Sequence, residues 1–296
     1  MCVAPSTVHR RYRVWHAEEG LSLLHSGASL LSRKSALHAF LISDGSREGS
    51  HELAQRLARL FELELIAPVF LSADQAFDGN IVNRRSFLAK HLREPSMGEI
   101  GCALAHRSAQ ARLLELGLQS AAIFEDDARI GDTDHFAKRI NTYESVCHRR
   151  DPTLINLNRD AVPRRVERKS RAFSGLARTF TPPYPATAYA INRAAAHAFV
   201  KVQSPISAQA DWPRTRENIT FLVDRQSSIF EDKSIASRID DHGYRVQIPW
   251  SVKARMWSGL WFFEHRHEFP SFSQYVNWLP KARLIYHCDR LQSPRD

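Results

Sequence analysis

The sequence predicts an α/β fold with a mostly parallel central sheet flanked by helices. Three observations predict it. First, the apolar run from Leu37 to Ile42 is followed by Leu53, Leu57, Leu60 and Phe61 at helical spacing, then by a second apolar run from Leu63 to Phe70. That order is a β-α-β opening, which places parallel strands side by side with a helix on one face. Second, Ser96-Met97-Gly98-Glu99 reads as a capping box at the head of a long helix. Third, the short strand Ala121 to Phe124 ends in three consecutive carboxylates, Glu125, Asp126 and Asp127.

The elements follow in order. The first strand ends in the turn Ser43-Asp44-Gly45-Ser46, and Phe77-Asp78-Gly79-Asn80 is a second turn. The capped helix is expected to run to about Leu116 and stop at Gly117, a good residue for the left-handed position after a helix. Leu154 to Leu157 is a further strand. Thr187 to Ile191 is strand-like and Arg193 to Val202 helix-like, and Tyr244 to Ile248 is a late strand. Residues 1–36 form a loosely attached extension, residues 37–230 the main domain, and residues 231–296 a segment packed on or extending it.

Composition bounds the classes. With 296 residues, 43 % hydrophobic and 25 % charged, the chain is an ordinary globular protein. It has no apolar run long enough to cross a membrane and no secretory signal pattern, so a cytoplasmic location is expected. Cys2, Cys102, Cys147 and Cys288 form no C-x-x-C pair, which argues against a disulfide framework or a zinc knuckle. The net charge of +9 favours anionic partners. Arg164, Arg165, Arg168, Lys169 and Arg171 crowd one loop and could meet phosphates or an anionic membrane surface; a solvated loop is the plainer reading. Trp257, Trp261, Phe262 and Phe263 could dock at a membrane interface or stack on sugar rings, and core packing is again the plainer reading.

The acidic triplet is the strongest chemical signal. At 4 Å and an effective dielectric near 20, each like-charged pair costs about 4 kcal/mol. A hard divalent cation, Mn²⁺ or Mg²⁺, relieves that repulsion with oxygen ligands and leaves room for substrate phosphates. The triplet falls at the carboxyl end of a strand, where ligands of open α/β sheets bind. A solvated acidic turn is the competing reading. His106, seven residues after Glu99 on the capped helix, shares a face with Gln110 and Leu113. One helix–turn–strand unit would bring Glu99, His106 and the triplet near each other.

The block Met97-Gly98-Glu99-Ile100-Gly101-Cys102-Ala103-Leu104-Ala105-His106-Arg107, followed by Ala122-Ile123-Phe124-Glu125-Asp126-Asp127, resembles the bacterial lipooligosaccharide and lipopolysaccharide galactosyltransferases of glycosyltransferase family 25. Weaker echoes are Phe77-Asp78-Gly79, Pro185 to Arg193, and Ala210-Asp211-Trp212-Pro213. The chain departs from the family pattern at Ser43, where an asparagine is usual, and at Ala105 and Ala186, which replace a serine and a glycine.

The resemblance implies a GT-A-like, nucleotide-binding fold. It also implies an inverting transfer of a hexose, galactose from UDP-galactose, onto a cell-surface glycan such as lipopolysaccharide core. By the same analogy Glu125 and Asp127 hold the metal, and Asp78, Glu99, His106 and Asp126 contact the donor. Asp211 is the expected base, with Asp224 and Glu231 as competitors and a capping or turn aspartate as its plainer reading. His265, His267 and His287 are candidates for a late metal ligand, a surface role being the plainer one. A nucleotide-sugar donor, a saccharide or glycolipid acceptor and peripheral membrane contact are the expected partners. A metal-dependent phosphodiesterase or nuclease, or a nucleic-acid-binding module, is the alternative; nucleic acid is not expected.

Overall fold

In the computed structural model the described residues are 37–47, 49–84, 86–87, 95–161, 175–179, 182–210, 218–232 and 234. The expected extension at 1–36, the arginine-rich loop, Asp211, the late strand, the aromatic cluster and His265, His267 and His287 lie outside them.

The elements in chain order are β1 (His38–Ile42), α1 (Ser50–Leu60), β2 (Glu62–Ile66), α2 (Ala73–Phe77), α3 (Met97–Glu115), β3 (Ser120–Glu125), β4 (Ala128–Ile130), α4 (Thr133–Cys147), β5 (Thr153–Asn156), β6 (Ala177–Thr179), β7 (Ala188–Asn192), α5 (Arg193–Val202), β8 (Thr220–Val223) and β9 (Ile229–Glu231). Two compact units result. Among the described residues, one holds residues 37–69, 104–201 and 218–234; the other holds residues 70–103 and 202–210.

The first unit carries a seven-stranded sheet in the order β2-β1-β3-β7-β5-β8-β6. β1 runs parallel to β2 and β3, and β5 runs parallel to β8. β7 is antiparallel to both β3 and β5, and β6 is antiparallel to β8. Two strands therefore reverse against five that share a direction, which is the mostly parallel α/β sheet expected. All five residues of β1 and of β7 are buried, as central strands covered on both faces require. A two-stranded ribbon of β4 and β9 stands beside the sheet.

Strand alternation assigns the faces. Ala122 and Phe124 of β3 join Leu53, Leu57, Phe61, Phe136, Ile140 and Tyr143 in the main core, so α1 and α4 cover that face. The rings of Phe61, Phe124 and Phe136 sit 6.0–6.3 Å apart and anchor it. Ile123 and Glu125 point to the other face, which α3 covers through His106.

β2 is shorter than the expected run to Phe70. It ends at Ile66, and Phe70 is exposed. Pro68 has no N–H to give the ladder, which stops this edge strand. α3 ends at Glu115, and Gly117 takes a φ of +70° in the turn that follows.

In the second unit, Ser72 caps α2 with a reciprocal Ser72–Gln75 box, and Asp78 is its C-cap. Val82 forms a bridge to Ile206. Ser96 and Glu99 form the expected capping box. The Ser96 N–H donates to Glu99 Oε2 at 2.9 Å, and the Glu99 N–H donates to Ser96 Oγ at 3.2 Å. No helix among the described residues is long and apolar enough to cross a membrane.

Candidate functional site

The site is built where β1 and β3 end. Parallel register sets Ile42 beside Glu125, so the loop after β1 runs alongside the acidic triplet. Arg47 in that loop donates from Nη1 to Asp126 Oδ1 at 2.8 Å and lies 3.9 Å from Asp127 Oδ2. The Ser43 hydroxyl lies 3.5 Å from Asp126 Oδ2. Glu125 is the last residue of β3 rather than a loop residue, and its N–H donates to Thr187 O at 2.8 Å.

The third wall is the β4–β9 ribbon. Ala128 pairs with Glu231, and the Asp232 N–H donates to Asp127 O at 2.9 Å. This brings a fourth carboxylate, Glu231, into the field of Asp127. Arg129 holds the turn closed: Nη1 donates to Asp126 O and Ala128 O, and Nε lies 3.2 Å from Asp232 Oδ2. Gly49, at a φ of +86°, lets the Arg129 guanidinium pass, since a Cβ there would lie 2.9 Å from Nη2.

Asp127 is the least compensated of the group. Its Oδ1 is buried and has no hydrogen-bond partner. Burial first, then the charges of Glu125, Glu231 and Asp126, push its pKa up to about 8, against the opposing pull of Arg47. A buried orphan oxygen among four carboxylates suits a hard cation with oxygen donors, so these residues fit a divalent metal.

Behind Glu125 stands a chain of hydrogen bonds. Antiparallel register sets Tyr189 opposite Ile123, on the same face as Glu125. On α3, His106 and Gln110 are one turn apart and meet it there. The Gln110 amide donates to Tyr189 Oη at 3.1 Å, Tyr189 Oη lies 3.0 Å from His106 Nδ1, and His106 Nε2 lies 2.7 Å from Glu125 Oε1. An ionised carboxylate only accepts, so His106 Nε2 donates to Glu125; a neutral imidazole then accepts the phenol proton at Nδ1. His106 is buried at 3 % exposure and its ring stacks on Tyr189.

Of the sequence-derived candidates, the structure brings Glu125, Asp126, Asp127, His106 and Glu231 together. Glu99 and Asp78 belong to the second unit. Glu99 accepts from Ser96 and from the Gln209 side-chain amide, and Asp78 is an exposed helix C-cap. Asp224 does not join the site. It is buried, and its Oδ2 accepts from Arg139 Nε at 2.9 Å and from the Tyr143 hydroxyl at 2.6 Å, while Oδ1 accepts the Gln226 N–H. Arg47 and Arg129 were not singled out by the sequence, and Tyr189 lay within the Pro185–Arg193 echo with no role assigned to it.

Residues 72–212 match the family model described as glycosyltransferase family 25 (LPS biosynthesis protein). A protein of Rattus norvegicus named "Probable inactive glycosyltransferase 25 family member 3" is 34 % identical over 101 residues, covering 29 % of this chain and 16 % of that protein. This chain therefore spans about a sixth of that relative. A solved structure described as mannose-1-phosphate geranyltransferase from Thermus thermophilus is similar with a TM-score of 0.38 at 11 % identity, over 64 % of this chain and 74 % of that one.

Proposed function

We propose that this chain, which carries a glycosyltransferase family 25 domain, is an active glycosyltransferase that moves a hexose from a nucleotide-sugar donor to a cell-surface glycan. The donor is UDP-galactose, the acceptor is a saccharide or glycolipid such as lipopolysaccharide core, and the transfer inverts the anomeric centre. The observation that carries this reading is the buried, unpartnered Oδ1 of Asp127 inside a cluster of four carboxylates.

Glu125 and Asp127 hold a divalent cation, Mn²⁺ or Mg²⁺. When bound, the cation supplies charge neutralisation for the departing diphosphate. His106 fixes the Glu125 carboxylate through its Nε2–H, as partners of metal-bound carboxylates do. Arg47 holds Asp126, leaving that carboxylate to orient the donor. Asp211, which lies outside the described residues, takes the acceptor hydroxyl's proton on the opposite face of the sugar. The net charge of +9 supports peripheral work at the anionic inner face of the cell membrane.

The name of the rat relative describes that protein as inactive. This chain has its acidic triplet whole, and the reading here is that it turns over. The test is a panel of nucleotide sugars with Mn²⁺, followed for donor hydrolysis and transfer, on the wild type and on Glu125→Ala/Asp127→Ala. Transfer by the wild type and its loss in the double variant are expected. No turnover of any donor, or equal turnover in both proteins, sinks the proposal.

A further inference from the structure

A cavity of about 610 Å³ opens at the other end of the sheet, where β3 and β5 begin and β7 ends. β3 separates it from the acidic triplet by about 17 Å at the usual rise per residue, so the two places cannot share one phosphate group. Arg149, Arg150, Arg193 and His197 line it, and no carboxylate is among the described residues that do.

The cationic residues are held there by a buried polar hub. Asn192, 2 % exposed, donates from Nδ2 to Arg149 O at 2.9 Å and to Asp151 O at 2.7 Å. Its Oδ1 accepts the Thr153 N–H and the Ala195 N–H, both at 3.0 Å. One side chain thus ties the 149–151 loop, the start of β5 and the first turn of α5 into one wall. From the same turn the Arg193 N–H donates to Gln119 O at 2.8 Å, and the Arg193 guanidinium lies over the turn at Gly117. The backbone of both arginine-bearing segments is fixed, while the side chains of Arg150 and Arg193 are exposed.

Arg150 and Arg193 expose two guanidinium groups on one concave surface, and an anion placed between like charges relieves their repulsion. Their planar forks match the oxygens of a phosphate. The N-terminal half of α5 contributes Arg193 and His197, and its first turn, which has no acidic residue, adds its own positive end. We infer that this cavity binds a phosphate-bearing group, distinct from any nucleotide diphosphate held at the acidic triplet. The phosphate is carried either by a soluble ligand or by a lipid headgroup.

The test measures binding of inorganic pyrophosphate in EDTA, so that the acidic site holds no cation, and sedimentation with phosphatidylglycerol vesicles against phosphatidylcholine vesicles. The variant is Arg150→Ala/Arg193→Ala. The control is Arg59→Ala/Lys138→Ala, which removes the same charge from exposed positions elsewhere. Melting curves check that both variants fold. Saturable binding that weakens about tenfold or more, roughly 1.4 kcal/mol, in the cavity variant alone supports the inference. Loss in the pyrophosphate arm marks a soluble ligand, and loss in the vesicle arm marks a lipid. No binding by the wild type in either arm, or equal loss in variant and control, overturns it. Neither result bears on transfer at the acidic triplet.

Discussion

His106 Nε2 and Glu125 Oε1 lie 2.7 Å apart, and the histidine's other nitrogen is engaged by the Tyr189 hydroxyl. The imidazole is therefore held from both sides, and against an ionised carboxylate its Nε2 is the donor.

If Glu125 holds a cation, this support sets the cation's affinity. His106→Ala is expected to weaken Mn²⁺ binding by about 10–100-fold. Tyr189→Phe removes only the far end of the chain and should cost less. Titration with Mn²⁺ reads both. Unchanged affinity in His106→Ala would show that Glu125 needs no orienting partner.

Asp127→Asn separates stability from binding. The wild-type carboxylate is buried with one oxygen unpartnered and is surrounded by Glu125, Glu231 and Asp126. Without cation, removing its charge relieves repulsion, and Tm at pH 8 should rise by about 2–4 °C for each kcal/mol relieved. With Mn²⁺ the order reverses, because the wild type gains a ligand that the variant cannot hold. A variant that melts lower than wild type in EDTA contradicts this.

The pH dependence has a definite sign. Burial raises the Asp127 pKa from 3.8 to about 8. Between those values the native state keeps a proton that the unfolded chain has lost. The associated stability is fully present below pH 3.8 and is lost as pH rises through about 8. In EDTA, wild-type Tm should thus decline relative to Asp127→Asn across that window. Cation binding must expel the proton, so affinity should climb by up to about tenfold per pH unit until pH 8 and then level. A flat affinity profile between pH 6 and pH 8 excludes Asp127 as a ligand.

Much of this site was legible because its signals are local. The Ser96–Glu99 box, the Gly117 stop and the carboxylates after β3 each occupy a few consecutive residues, where backbone chemistry alone decides the conformation. What was not legible depends on register. Tyr189 reaches His106 only because β7 runs antiparallel to β3 with Tyr189 opposite Ile123, and no spacing within the chain encodes that. Arg47 meets Asp126 across 79 residues through the pairing of Ile42 with Glu125. The three-residue strands β4 and β9 are too short to show a period, so the ribbon that delivers Glu231 left no pattern. Asp224 misled for the opposite reason: its residue type suited a base, but burial and Arg139 had already committed it.

That commitment gives a final expectation. Asp224 bridges Arg139 on α4 and the Tyr143 hydroxyl with a side chain at 0 % exposure. Burial and then the neighbouring Asp224 carboxylate raise the Tyr143 pKa, so the phenol stays protonated and donates. Tyr143→Phe should cost about 1–2 kcal/mol of stability for the lost bond to a charged group. Asp224→Asn, which leaves Arg139 without its counter-charge, should cost about 3–5 kcal/mol. Neither should change kcat/KM measured per folded molecule, because the pair braces α4 against the end of β8 and touches no part of the acidic site described here. Denaturant melts and transfer rates at a temperature where both variants are folded decide it. A folded Asp224→Asn enzyme slowed by about 10³-fold would instead make Asp224 the base, since loss of a general base costs about 10²–10⁴-fold.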